Sequence, residues 1–193
     1  MQSTSHNTTA FLFFLSISLP VVAPAQSPPA AKGSAALSDR ALIANALSAA
    51  PASIAAGATV VGHDQRILRK GTSDWVCMPD MRDVPNDTPM CLDAPWRSLI
   101  DAWMKKKQPS VTAVGFGYML QGDMPVSNTD PFATAPTATN QWLPNGAPHV
   151  MMLLPDPQLL NGISTDPNNG GPFVMWKGTP YAHIMIPTSK RVK

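Results

Sequence analysis

The sequence predicts an α+β domain with a mainly antiparallel sheet, two or three helices, many loops and one disulfide. Three observations indicate this fold class. Short segments alternate at the period of two that is typical of strands, and turns of hairpin length separate several of them. Two longer segments instead place apolar residues at helical spacing. Many of the 21 prolines fall between these elements, where proline favours loops.

The first 25 residues predict a cleavable signal peptide. Residues 11–23 form an apolar run that ends at Ala23-Pro24-Ala25, the small-x-small pattern that signal peptidase cuts. This run is too short for a transmembrane helix, which needs about 20 apolar residues. Residues 26–37 are rich in Pro, Ala and Ser, so we expect a flexible spacer. Residues 38–193 are then expected to form one globular domain of a secreted or periplasmic protein without a membrane span.

Charge and composition exclude several function classes. A formal net charge of +2 gives no electrostatic reason to expect nucleic-acid binding. All 12 acidic residues are Asp, so the HExxH zinc-protease helix and calcium loops closed by Glu are excluded. The sequence also lacks the GxSxG nucleophile elbow. It therefore favours a non-catalytic domain, binding or structural, whose partner is an unidentified small molecule or protein.

The first elements in chain order are a helix and a hairpin. Ser38 can cap a helix whose apolar residues recur at helical spacing until Pro51 stops or restarts it. Residues 58–62 and 66–70 predict the two strands of a hairpin, and residues 75–78 predict another short strand.

Cys77 and Cys91 are the only two cysteines in the chain. An oxidising compartment favours a disulfide between them. The residues between them are rich in Pro, Asp and Asn, which is typical of an exposed loop. A reactive or metal-binding pair is the alternative, but the spacing is neither CxxC nor a zinc-knuckle pattern.

The clearest helix begins at Asp93, an N-cap residue, with Pro95 in its first turn. Its apolar stripe consists of Trp96, Leu99, Ile100, Trp103 and Met104. Residues 113–119 then alternate with a period of two and predict a strand. We expect further strands at residues 149–154, 173–176 and 181–186, with a short helix that starts at Asp156. The connections between strands have the character of hairpins, which favours the antiparallel sheet.

The C-terminal half contains an internal repeat. Each copy has Thr-Asp-Pro, then Trp, then Gly-x-Pro, then a strand that carries His-[Val/Ile]-Met. Each copy closes with a proline after the strand, so the first runs from Thr129 to Pro155 and the second from Thr165 to Pro187. A duplicated loop–strand unit would make the two strands neighbours in the sheet. Independent reuse of favourable turn sequences is the alternative.

The repeat supplies the candidate metal site, which consists of His149, Met151, His183 and Met185. Residues i and i+2 of a strand share a face, so pairing of the two strands would bring two imidazoles and two thioethers to one face. Such soft ligands suit copper as Cu(I). Trp142 and Trp176, one in each copy of the repeat, could cap the ion. The chain is also methionine-rich, with 11 Met.

Two other interpretations stay open for these residues. Met often fills gaps in a core, and a buried His is usually hydrogen-bonded to the backbone or to an Asp, in which case no cofactor is bound. A small metal-assisted hydrolase would instead combine His149 or His183 with Asp130 or Asp166. Asp in an Asp-Pro turn more often caps its own backbone.

Four phrases of the sequence, APASIAAGATV, WVCMPD, MCLDAPW and GTPYAHIMIP, resemble uncharacterised secreted bacterial proteins. Together the phrases cover about a fifth of the mature chain. The resemblance implies a secreted bacterial protein and carries no activity or site with it.

Overall fold

The computed structural model describes residues 38–80, 88–144 and 146–189. The predicted signal peptide (1–25) and spacer (26–37) lie outside the described residues, as does part of the loop between the cysteines. The described residues form the predicted α+β fold, with an eight-stranded sheet, a separate two-stranded sheet and three α-helices.

The helices begin where the sequence predicts them. Helix α1 (Asp39–Leu47) follows Ser38, whose Oγ accepts the Ala41 N–H, and α2 (Ala52–Ala55) restarts after Pro51. Helix α3 (Ala94–Met104) follows Asp93, whose Oδ1 accepts the Trp96 N–H at 3.0 Å. A single 3-10 turn (Pro157–Leu160) begins after Asp156.

The strands are short and most neighbours are antiparallel. Their bounds are β1 Thr59–Val61, β2 Ile67–Arg69, β3 Val76–Met78, β4 Met90–Leu92, β5 Gly115–Met119, β6 Val126–Ser127, β7 Trp142–Leu143, β8 His149–Leu153, β9 Phe173–Met175 and β10 His183–Pro187. The large sheet has the order β2-β1-β3-β4-β5-β8-β10-β9, and β6 pairs with β7 in the small sheet.

The expectation of hairpin connections is wrong at several places. The connection from β4 to β5 contains α3, and the connection from β8 to β9 passes over β10. Strand β2 pairs antiparallel with one edge of β1. Strand β3 then pairs with the other edge of β1, and this pair is parallel. Strands β5 and β8 are neighbours although the β6–β7 sheet lies between them in sequence. Strand β4 was not predicted, and it pairs with both β3 and β5.

The predicted disulfide is present between Cys77 and Cys91. The two residues lie directly opposite each other in β3 and β4, and both are fully buried. They belong to a core of small side chains under α1, together with Ala46, Ala49, Ala50, Ala58 and Val60. The disulfide therefore joins two adjacent strands inside a packed core.

Helix α3 packs against β5, on the opposite face of the sheet from α1. The approach is close enough to require glycine, because a Cβ at Gly115 would lie 2.8 Å from the Cβ of Pro95. The predicted apolar stripe of α3 is buried at Trp96 and Leu99 and half-buried at Trp103. Met104 is 71% exposed, so the assignment of this last residue to the buried stripe is wrong.

Candidate functional site

The two strands that carry the His-x-Met sequences are neighbours, as the internal repeat predicts. In the β8–β10 pair, Met151 lies directly opposite Met185. The flanking strands add two further methionines: Met119 in β5 lies opposite His149, and Met175 in β9 lies opposite His183.

Directly opposite residues share a face of the sheet, so these six side chains project to the same side. Both histidines are 2% exposed and the four methionines are buried. The methionines belong to one core cluster with Trp96 and Trp176, between the sheet and α3. We call the six residues His149, His183, Met119, Met151, Met175 and Met185 the His/Met face.

The register separates the two histidines. His149 lies opposite Pro187, four residues after His183 on the same strand. At about 3.3 Å per residue this is a distance of about 13 Å along the sheet. The structure therefore brings Met151 and Met185 together and places His149 and His183 at opposite ends of the His/Met face.

Both imidazoles are oriented by the same backbone hydrogen bond. The Nδ1 of His149 lies 2.7 Å from the carbonyl oxygen of Ala147, and the Nδ1 of His183 lies 2.9 Å from that of Tyr181. A carbonyl oxygen only accepts, so each Nδ1 carries the proton and Nε2 keeps its lone pair. This is the bond expected of a core histidine, and it is also the bond that fixes the tautomer of a metal-binding histidine.

Two indoles enclose His183. The rings of Trp96 and Trp176 each contact it edge to face, with centroids 5.0 Å away. Trp176 has a φ of 55°, a conformation that is strained for a bulky residue, and two hydrogen bonds hold it there. Its backbone N–H donates to the carbonyl of Asn128 and its Nε1–H to that of Ser127, both at 2.8 Å.

The aromatic contacts continue from Trp176 to the surface. Trp176 stacks on Trp103 at 6.1 Å, and Trp103 stacks on Phe132 at 6.4 Å. Phe132 is 40% exposed, whereas Trp96 at the other end is buried. We call Trp96, His183, Trp176, Trp103 and Phe132 the aromatic chain. Of the two predicted capping residues, Trp176 contacts a histidine, and Trp142 lies half-buried in β7 opposite Ser127.

His183 is neutral at pH 7. Burial lowers its pKa to about 4; the hydrogen bond to the Tyr181 carbonyl opposes this shift, and charge repulsion from His149 adds to it. A neutral imidazole with its proton on Nδ1 presents Nε2 as an available ligand atom.

The aspartates proposed for a hydrolase are engaged in their own turns. Asp130 Oδ1 accepts the Phe132 N–H at 2.8 Å, and Asp166 Oδ1 accepts the Asn168 N–H at 2.9 Å. This confirms the alternative interpretation that they cap their own backbone. Across the described residues, no group of three or more His, Cys, Asp or Glu side chains is placed to hold a metal ion.

Asp123 has the largest pKa shift of a carboxylate among the described residues. Burial raises its pKa to about 7, and the hydrogen bond from the Met124 N–H opposes this shift. It forms a bridge with Gly146, where an added Cβ would clash with the Cβ of Asp123. Sequence reasoning did not single out Asp123, because burial in a loop leaves no periodic pattern.

A surface pocket of about 490 Å³ lies in the loop between β6 and β7, beside Phe132. Its polar lining is largely used by the loop itself. Besides Asp130, the Asn140 Oδ1 accepts the Thr137 N–H, and the Thr129 Oγ1 accepts the Gln141 N–H. Few directed polar groups are left for a ligand, so the His/Met face is the stronger candidate.

Met119 and Met175 are the site residues that sequence reasoning missed. Met119 ends the alternating segment at residues 113–119, and Met175 lies in the predicted strand at residues 173–176. Each was visible as a strand residue, but its place opposite a histidine depends on the order of the strands. No family model, curated protein or solved structure matches the chain.

One structural feature bears on the cellular compartment of the protein. The buried disulfide is typical of proteins outside the cytosol. In the part of the chain that the structure describes, no helix has the length and apolar character needed to cross a membrane.

Proposed function

We propose that this chain is a secreted or periplasmic, non-catalytic binding domain whose ligand is a soft metal ion, copper as Cu(I). The observation that carries the proposal is the His/Met face, on which each histidine lies directly opposite a methionine. Cu(I) prefers thioether and imidazole ligands.

The kinds of ligand present support a soft ion over a hard one. The face offers four thioethers and two imidazoles and lies in an apolar core with Trp96, Leu99 and Leu153. Ca²⁺ and Mg²⁺ require oxygen ligands, and structural zinc prefers thiolate with imidazole. Cu(I) needs neither a carboxylate nor a thiolate. It can also be bound by only two or three ligands, which a closely packed site can supply.

The compartment agrees with this ligand. The predicted signal peptide would send the chain out of the cytosol, where the disulfide also forms. With both cysteines in the disulfide, no thiol competes with the thioethers for the metal. The buried, closely packed setting favours holding an ion over catalysing a reaction on it, since a catalytic metal keeps an open position for water.

An anaerobic Cu(I) titration against a chromogenic chelator tests the proposal. The wild-type protein should withdraw Cu(I) from the chelator, and Met151→Leu should bind it more weakly. Met152→Leu is the matched control, because Met152 is the next residue of β8 and packs on the opposite face, against the cluster of Leu160, Val174 and Ile184. If the wild-type protein fails to compete, or if both variants lose affinity equally, the proposed function is wrong.

A further inference from the structure

We infer that the His/Met face holds two separate Cu(I) sites, each built from one imidazole and two thioethers. One consists of His149 with Met119 and Met151, and the other of His183 with Met175 and Met185. This inference rests on the proposed function and replaces the single ion shared by both histidines that the sequence suggested.

The strand register selects these two sets. His149 has Met119 directly across on β5 and Met151 two residues along β8, both on its own face. His183 has Met175 directly across on β9 and Met185 two residues along β10, also on its own face. The two sets therefore mirror each other around the central Met151–Met185 pair.

A single shared ion does not fit the position of the rings. An ion bound by both imidazoles would need each nitrogen within about 2.1 Å of it, so the two nitrogens would be at most about 4 Å apart. The histidines are separated by about 13 Å along the sheet, and strand side chains stand roughly perpendicular to the sheet.

Neither ring is free to swing toward the other. The Nδ1 bonds to the Ala147 and Tyr181 carbonyls fix the direction of both imidazoles. His183 is additionally held between Trp96 and Trp176. Moving either imidazole toward the other would break its hydrogen bond to the backbone.

The two sites should be distinguishable by fluorescence. His183 contacts two indoles at 5.0 Å, so an ion bound beside it lies close enough to quench their emission. Met151 of the other site packs near one of these indoles, Trp96. A titration that follows tryptophan fluorescence therefore responds more strongly to the His183 site, whereas competition with the chelator reports on the total Cu(I) bound.

The test is an anaerobic Cu(I) titration of the wild-type protein and of His149→Ala and His183→Ala. We expect two equivalents bound by the wild type and one by each variant, with a larger loss of quenching in His183→Ala than in His149→Ala. His63→Ala, in the exposed turn between β1 and β2, should behave like the wild type.

A second measurement uses the wild-type protein alone, in case a histidine variant fails to fold. In the proton–carbon spectrum of methyl-labelled methionine, Ag(I), a non-redox substitute for Cu(I), should shift the Met119, Met151, Met175 and Met185 signals and leave Met152 in place. One equivalent, abolished by either single histidine variant, would overturn the two-site inference and leave the proposed function intact. No binding by any measurement would overturn both.

Discussion

Acid should destabilise the metal-free protein through His183. Burial lowers the pKa of this imidazole to about 4, from 6.5 in an unstructured chain. Between these two values the unfolded chain binds a proton that the folded chain does not, so the free energy of unfolding falls as the pH falls from 6.5 to 4. This difference in pKa corresponds to about 3 kcal/mol.

Urea unfolding at pH 7 and at pH 4, in the presence of a copper chelator, measures this contribution. His183→Asn cannot be protonated and keeps an N–H for the Tyr181 carbonyl. It should be less stable than the wild type at pH 7, because the contacts of the ring with Trp96 and Trp176 are lost, and this gap should shrink by about 3 kcal/mol at pH 4. Other titrating groups cancel in the comparison. His63→Asn is the control and should behave like the wild type at both pH values. If the difference in stability between the wild type and His183→Asn is the same at pH 7 and pH 4, the reasoning is wrong.

Three further predictions concern the rest of the fold. The raised pKa of Asp123 acts in the opposite direction, because the folded chain keeps a proton up to about pH 7. As the pH rises from 5 to 8, Asp123→Asn should therefore gain roughly 3 kcal/mol of stability relative to the wild type, as measured by urea unfolding. Gly115→Ala places a Cβ 2.8 Å from the Cβ of the rigid Pro95 ring and should cost about 1–3 kcal/mol, whereas Gly171→Ala, with its nearest neighbour at 3.9 Å, should change stability little. Reduction of the disulfide, which spans 14 residues, should lower the free energy of unfolding by about 3 kcal/mol, as measured by urea unfolding with and without reductant.

The sequence predicts the elements that carry a clear local pattern. Asp93 and the apolar stripe determine where α3 begins and which side is buried, apart from its last residue, Met104. The disulfide was predictable because the chain has only two cysteines. Strand β4 was missed because its three residues, Met90–Leu92, lie between a loop and the N-cap of α3 and are too short to show a period.

The composition of the candidate site depends on information that is not local. The similarity of the two sequence stretches led to the expectation that the strands of His149 and His183 are neighbours, and the pairing of β8 with β10 confirms this. The partners Met119 and Met175 follow only from the positions of β5 and β9 in the sheet. The separation of the two histidines likewise depends on the antiparallel register of β8 and β10, which no pattern within one strand determines.

The aromatic chain gives the protein an intrinsic optical probe of its packing. Its rings are held at fixed angles, from nearly parallel between Trp103 and Phe132 to nearly perpendicular between Trp176 and His183. Aromatic rings fixed in an asymmetric environment produce near-ultraviolet circular dichroism, which vanishes once tertiary packing is lost even if the secondary structure persists. Near-ultraviolet and far-ultraviolet spectra recorded on one sample would therefore separate loosening of the core around His183 from melting of the sheet.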